Sequence, residues 1–252
     1  HVTYEQYKNI KQRYKANNLV ETEGIIEKQR IVKDEEEINK IRKACEITDN
    51  CFTHLLSYIK IGMTEKQIAL EIEMYFKTHG ADGVSFDPIV AIGENSSVPH
   101  WIPGDRKVEM ADPILIDMGC KYDGYCSDMT RTIFMGCILE EIKPVYDLAL
   151  KNLELSTKEI TDGYTIKTAA NMVESDFKVN GYNLIHALGH GVGLEVHELP
   201  FIRLKNEASF KENMVIADEP GIYLPGKYGI RIEDTLLVTK DGSCLLYTSP
   251  SP

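Results

Sequence analysis

The stretch Ile114–Phe134, ILIDMGCKYDGYCSDMTRTIF, is an apolar run, an Asp123-Gly124 turn and a second run that carries polar residues among apolar ones. It reads as a β-hairpin. Asp-Gly favours a two-residue turn, which pairs Tyr122 with Tyr125. Counting outward sets Asp117 opposite Thr130, with Asp128 diagonally across from Asp117. Because side chains alternate with period two, both acids project from one face, roughly 7–8 Å apart at the backbone. Two carboxylates so placed can share a metal. Solvated acids on an exposed face are the ordinary alternative. Against it, Ile114, Leu115, Ile116 and Met118 surround Asp117 with a run that reads as buried on both faces, and a buried carboxylate without a cation is costly.

Upstream of the hairpin, Ile38, Ile41, Cys45, Thr48, Phe52, Leu55 and Ile59 recur at intervals of three and four, one stripe of a long amphipathic helix that Gly62 is expected to end. Thr64 with Gln67 is a capping box, opening a helix to Gly80, and a strand is expected over 88–92. Downstream, helices are expected over about 144–161 and 165–180, then strands and Gly-rich turns to Val238. Ahead of all this, Tyr4, Tyr7, Ile10 and Tyr14 have near-helical spacing, Ile25-Ile26 reads as a short strand, and Lys28–Lys33 is a basic stretch.

A weak repeat relates the two halves. Gly62, Thr64, Ala69, Phe76, Lys77 and Gly80 recur as Gly163, Thr165, Ala170, Phe177, Lys178 and Gly181, each displaced by 101 positions. Gly and Thr sit at helix ends everywhere, but six identities in one register at matching helix starts and ends make chance the poorer account. Carried to Asp117, the same displacement lands on Asp218, next to Glu219, and Glu233 follows on a further strand. Two related halves would face one another with acids at a shared seam.

The chain has 252 residues, 43% hydrophobic and 27% charged, with a net charge of −11. That is ordinary for a globular protein, and the negative charge disfavours nucleic acid and anionic membrane as partners. No apolar run approaches the roughly 20 residues that span a bilayer, and no basic-then-apolar leader opens the chain. Six cysteines without a Cys-x-x-Cys pair fit reduced thiols and a cytoplasmic setting. Residues 1–33 read as the remnant of a larger N-terminal domain, 34–242 as one catalytic domain, and 243–252, which lack periodicity, as a non-native or truncated tail.

Chemistry concentrates between the two acidic pairs, in the stretch 185–198, IHALGHGVGLEVHE, where His190 sits between glycines that expose its imidazole. Lone histidines are more often structural, the reading given to His54 and His79 on helices. His190 joins Asp117, Asp128, Glu219 and Glu233 as a candidate ligand, a set suited to hard or borderline divalent metals. Four carboxylates held together repel, whereas two divalent cations offset them, and a hydroxide bridging the metals completes a hydrolytic centre.

Asp117, Asp128, Gly189-His190-Gly191, Glu219-Pro-Gly-Ile-Tyr223 and Arg231-Ile-Glu233-Asp234 resemble, in order and spacing, the pita-bread metallopeptidases, and among them Xaa-Pro aminopeptidases and Xaa-Pro dipeptidases. The resemblance covers nearly all of residues 30–240. It implies an α+β fold of two pseudo-symmetric halves, a curved antiparallel sheet with outer helices. It makes Asp117 and His190 ligands of opposite metals, Asp128 and Glu233 bridges between them, and Glu219 both ligand and proton shuttle. His197 resembles the family histidine that stabilises the oxyanion, His100 one that contacts substrate, and Arg231 a further substrate-binding residue. The metals implied are two divalent ions, Mn2+ first and Co2+ or Zn2+ next. The substrate implied is a peptide with proline at its second position, handled by a homodimer when full length.

Removal of an N-terminal residue before proline is the activity expected. Alternatives, in order, are an Xaa-Pro dipeptidase, a methionine aminopeptidase, and a non-catalytic peptide-binding module of the same fold. The leader and Arg231 favour the proline-directed branch, and the complete ligand set argues against the module. Some proline dipeptidases carry a basic residue directly after their His-Glu-x-Pro equivalent, to meet a free carboxylate. Phe201 stands there in this chain, which favours the aminopeptidase.

Overall fold

A computed structural model describes residues 2–14, 20 and 22–246. Its leader forms α1 (Tyr4–Arg13) and α2 (Ile25–Gln29). The first half runs α3 (Glu35–Tyr58), α4 (Glu65–Thr78), β1 (Gly83–Val84), β2 (Ile89–Ile92), a 3-10 turn over Gly93–Ser97, β3 (Pro113–Met118), β4 (Cys120–Tyr122), β5 (Tyr125–Cys126) and β6 (Met129–Phe134). The second runs α5 (Lys143–Glu159), α6 (Ile166–Val179), β7 (Gly189–Gly191), β8 (Glu198–Ile202), β9 (Val215–Asp218), β10 (Gly221–Leu224), β11 (Tyr228–Arg231), β12 (Asp234–Thr239) and β13 (Gly242–Leu245).

The hairpin register is the one its turn chemistry dictates. Asp123 and Gly124 both take positive φ, as a type I′ turn requires. Tyr122 pairs with Tyr125 and Asp117 with Thr130. The ladder is interrupted at Gly119, where a Cβ would overlap the Ser127 carbonyl. Ser85 Oγ donates to that carbonyl at 3.0 Å, so Asp128 leaves the ladder just before β6 begins.

The repeat is a repeat of structure. α4 and α6 each have 14 residues and are displaced by the same 101 positions at both ends. Thr64 bridges Lys107 as Thr165 bridges Ser209. Gly62 and Gly163, both at positive φ, donate their N–H to the carbonyls of Val108 and Phe210. In the first half β2-β3-β6 form an antiparallel sheet, and β7-β9-β12 repeat that order in the second, flanked by β8 and β13. Each half buries its own apolar core under its helix pair, one around Ile41, Phe52 and Phe76, the other around Ala149, Ile166 and Phe177. The sheets meet where Glu233 N–H donates to Thr130 O at 3.0 Å. This is the α+β, two-halved antiparallel architecture expected.

Local chemistry explains the helix starts. Thr64 accepts from Gln67 N while the Gln67 side chain accepts from Thr64 N, a cap worth about 1 kcal/mol. Asp34 and Glu37 form the same box on α3, with Glu35 and Glu36 in its first turn, where acids favour the helix dipole. Two expectations need correction. Ile25-Ile26 begins the short helix α2 and not a strand; both side chains are exposed, so no sheet face recruits them. α3 ends at Tyr58, with Gly62 in the loop beyond, because Ile59 turns extended at φ −64°, ψ 131°. Of the segment read as a non-native or truncated tail, residues 243–245 belong to β13, which pairs with β12, Leu236 opposite Leu245, and Leu246 is buried. The remainder of that expected tail, 247–252, lies outside the described residues. Among the described residues no helix is long and apolar enough to cross a membrane.

Candidate metal centre

One cavity of about 430 Å³ between the two halves is lined by all eight residues singled out from the sequence: His100, Asp117, Asp128, His190, His197, Glu219, Arg231 and Glu233. Asp117 stands on β3, paired with Ile89 and Thr130. Asp128 occupies the break before β6, His190 the middle of β7, Glu219 the position after β9, and Glu233 the gap between β11 and β12. Strand ends thus aim acids from both halves at one seam.

Among the described residues, Asp128, His190 and Glu233 each offer a ligand atom within 4.8 Å of the others. His190 Nε2 lies 3.5 Å from Asp128 Oδ2 and 3.6 Å from Glu219 Oε1. The His190 Nδ1–H donates to Gly191 O at 3.1 Å, which places the Nε2 lone pair toward the carboxylates. Burial pushes the His190 pKa down to about 4, so the ring is neutral and free to ligate. Burial, and then repulsion from Glu233, pushes the Asp128 and Glu219 carboxyls well above the usual range. Glu233 is pushed up to about 8 by burial and then by Asp117.

Acids crowded by one another and by burial in this way favour a bound cation, which would offset their repulsion. Asp117 Oδ1 adds a second sign, being buried with no hydrogen-bond partner. The donor set, one imidazole nitrogen and carboxylate oxygens, fits a hard or borderline divalent ion. The charge balance differs from the count of four carboxylates alone. Arg231, buried among them, places Nη2 at 2.6 Å from Asp117 Oδ2, offsetting one of the four charges.

Four hydrogen bonds commit most of the Arg231 fork to protein: Asp117, Thr130 Oγ1 at 3.1 Å, Tyr223 OH at 2.7 Å and Pro99 O at 3.3 Å. Thr130 Oγ1 also donates to Glu233 Oε2 at 2.5 Å, and Arg131 Nη1 holds the Glu233 carbonyl at 2.6 Å. Besides Arg231, the centre is therefore oriented by Thr130, Arg131 and Tyr223, which the sequence did not single out.

His186 is the main omission. It lines the cavity, donates from Nδ1 to Ala187 O at 2.7 Å and accepts at Nε2 from Tyr223 OH at 3.0 Å. Burial lowers its pKa to about 4 and raises that of Tyr223 to about 12, so Arg231, Tyr223 and His186 form a chain of fixed donors and acceptors. The signal was present, a second histidine four residues before His190. Glu65 is another omission. This wholly buried acid at the start of α4 accepts from Trp101 Nε1 at 2.8 Å and Gly104 N at 2.7 Å, fixing the wall that carries His100.

His197 stands against His190, ring centroids 4.3 Å apart at 61°. His54 and His79 lie outside the cavity, stacked on Tyr75, in keeping with their structural reading.

Residues 39–240 match the metallopeptidase family M24. The Xaa-Pro dipeptidase of Pyrococcus furiosus is 38% identical over 244 residues, 96% of this chain and 70% of that protein. Among solved structures, the X-Pro aminopeptidase from Thermotoga maritima superposes with a TM-score of 0.95 at 38% identity, covering 100% of this chain and 72% of its own. The Xaa-Pro dipeptidase from Bacillus anthracis gives 0.96 at 35%, covering 100% and 71%. With acids from two repeated half-domains converging on one imidazole, and with these relatives, the chain belongs to metallopeptidase family M24 and has its pita-bread fold.

Proposed function

We propose that the chain removes an N-terminal residue preceding proline, as a dinuclear Xaa-Pro aminopeptidase using Mn2+ by preference. The observation that carries this reading is the composition of the cavity between the two halves. The candidate ligands form its floor, and Pro88, Pro99, Trp101, Pro103 and Phe201 form an apolar wall beside them. A bond to proline lacks the N–H that ordinary peptidases grip, so recognition falls on the shape of the ring, which such a wall supplies. Six unpaired cysteines accord with a cytoplasmic setting.

Asp117, Asp128, His190, Glu219 and Glu233 would hold the metals. Bound divalent cations supply Lewis acidity there, polarising the scissile carbonyl and acidifying water. The protein's own groups do the rest. His197 donates to the oxyanion as it develops, Glu219 passes a proton to the leaving nitrogen, and His100 contacts the substrate from the wall that Glu65 fixes. Arg231 holds Asp117 and, through Tyr223, His186.

A second reading, the dipeptidase, has its own support. Arg203 lines the cavity with its guanidinium 4.7 Å from the Phe201 ring, a cation able to meet the free carboxylate of a dipeptide. Assay of the Mn2+-loaded chain on Xaa-Pro dipeptides, longer Xaa-Pro peptides and Met-Ala peptides separates the readings. Cleavage of longer Xaa-Pro peptides is expected. Cleavage confined to dipeptides assigns the second reading, and cleavage of Met-Ala peptides alone rejects both.

A further inference from the structure

The basic stretch ahead of α3 has no part in the chemistry above, yet it ends on the residue next to His197. Val32 bridges Met214, and Lys33 N–H donates to Asn213 O at 2.9 Å, which pins this segment to the second half. From there Lys33 Nζ reaches Glu198 Oε1 at 2.7 Å and Arg30 Nη2 reaches Glu198 Oε2 at 2.5 Å. The Lys33 and Glu198 side chains are 1% and 6% exposed, so this is an interior ion pair between residues 165 apart.

Glu198 is also packed from the other side. A Cβ on Gly193 would overlap its carboxylate, and Gly193 O accepts from Cys126 N at 2.7 Å. The short loop Gly193–His197 is therefore held at one end by the hairpin that carries Asp128 and at the other by Glu198. A buried ion pair contributes little net stability, because desolvation offsets its attraction, but it does fix geometry when its partners are rigid. Here the geometry fixed is that of the residue adjoining Glu198.

We infer that Lys33 and Glu198, assisted by Arg30, are positioning residues that hold the His197 imidazole against the metal centre, which makes the segment ahead of α3 part of the active site. What His197 does once held rests on the function proposed above; that it is held does not.

The test compares Lys33→Met, Lys33→Arg and Glu198→Gln in the full chain by two readouts. In the metal-free protein, the imidazole NMR signals of His197, assigned with His197→Ala, are expected to shift or broaden in Lys33→Met and Glu198→Gln. Those of His54 and His79 stay in place, and Lys33→Arg keeps the wild-type pattern. In the Mn2+-loaded protein, turnover of an Xaa-Pro peptide is expected to fall roughly ten- to a hundredfold with KM within about twofold, since misplacement of a transition-state donor acts on kcat. Glu198→Gln keeps the shape of the side chain and carries the test if Lys33→Met does not fold. Unchanged His197 signals in a folded variant overturn the inference, whatever the activity. Displaced signals in a chain that never cleaves Xaa-Pro peptides uphold it and reject the proposed reaction instead.

Discussion

Arg231 on β11 donates through Nη2 to Asp117 on β3 at 2.6 Å, with both residues buried. A cation from the second half thus stands on an acid of the first, inside the cluster that would hold metal. Replacing it by Met leaves Asp117 charged and unpaired and should cost about 3–5 kcal/mol, read by urea denaturation of the metal-free chain. Added Mn2+ should recover part of that loss by taking the guanidinium's place beside Asp117; no recovery would separate Asp117 from the metal.

Asp128 offers a ligand atom within 4.8 Å of those of His190 and Glu233. Asp128→Asn keeps the shape and removes the charge, so metal content should fall, with affinity for the remaining ion weakened by at least about tenfold and most activity lost. The helices should remain intact by circular dichroism. Full metal content in the purified variant would remove Asp128 from the ligand set.

The titration of the centre gives a prediction with a definite sign. Glu233 titrates near 8 in the folded chain, and Asp128 and Glu219 are also raised, while unfolded carboxylates titrate near ~4. The Glu233 contribution to stability is fully present below the unfolded value and is lost as pH rises through about 8, and Asp128 and Glu219 act in the same direction. His186 and His190, lowered to about 4, work the opposite way, costing stability as pH falls from ~6.5, the ordinary histidine value. Between about 6.5 and 8 the histidine effect is nearly complete and the carboxylates dominate. Metal-free Tm should fall across that window, and Mn2+ should raise Tm more at pH 8 than at pH 6.5. Calorimetric titration in buffers of different ionisation enthalpy should show protons released on binding.

Asp218 occupies in the second half the place of Asp117 in the first, yet it faces α5, where Ser156 Oγ meets it at 2.5 Å. Burial pushes its pKa to about 8, so it too weakens the fold as pH rises. Asp218→Asn should leave kcat within about twofold. It should raise Tm at pH 8 by a few degrees, or about 1 kcal/mol, and change little at pH 5. An equal change at both pH values would show that Asp218 does not titrate in this range.

Sequence by itself determined whatever depends on neighbours along the chain. Asp123-Gly124 can close only a tight turn, so pairing Tyr122 with Tyr125 carried Asp117 to Thr130 without further information. Thr64 and Gln67 start α4 by satisfying one another's backbone N–H groups, and six repeated identities placed α6 at the displacement it has. The candidate ligands were legible because each sits in a short motif of its own.

Tertiary structure alone decided what depends on residues a hundred positions apart. Alternation at the end of β9 admits either Asp218 or Glu219 to the centre, and packing against α5 selects Glu219. Ile25-Ile26 has strand propensity but starts a short helix with both side chains exposed, whereas residues 243–245, which lack periodicity, pair with β12. Arg231 beside Asp117, His186 on Tyr223, and Lys33 on Glu198 bring together groups with no spacing to announce them. The energy of a buried charge is set by its burial and by the charges folding brings close to it, and those distances are written in no local pattern.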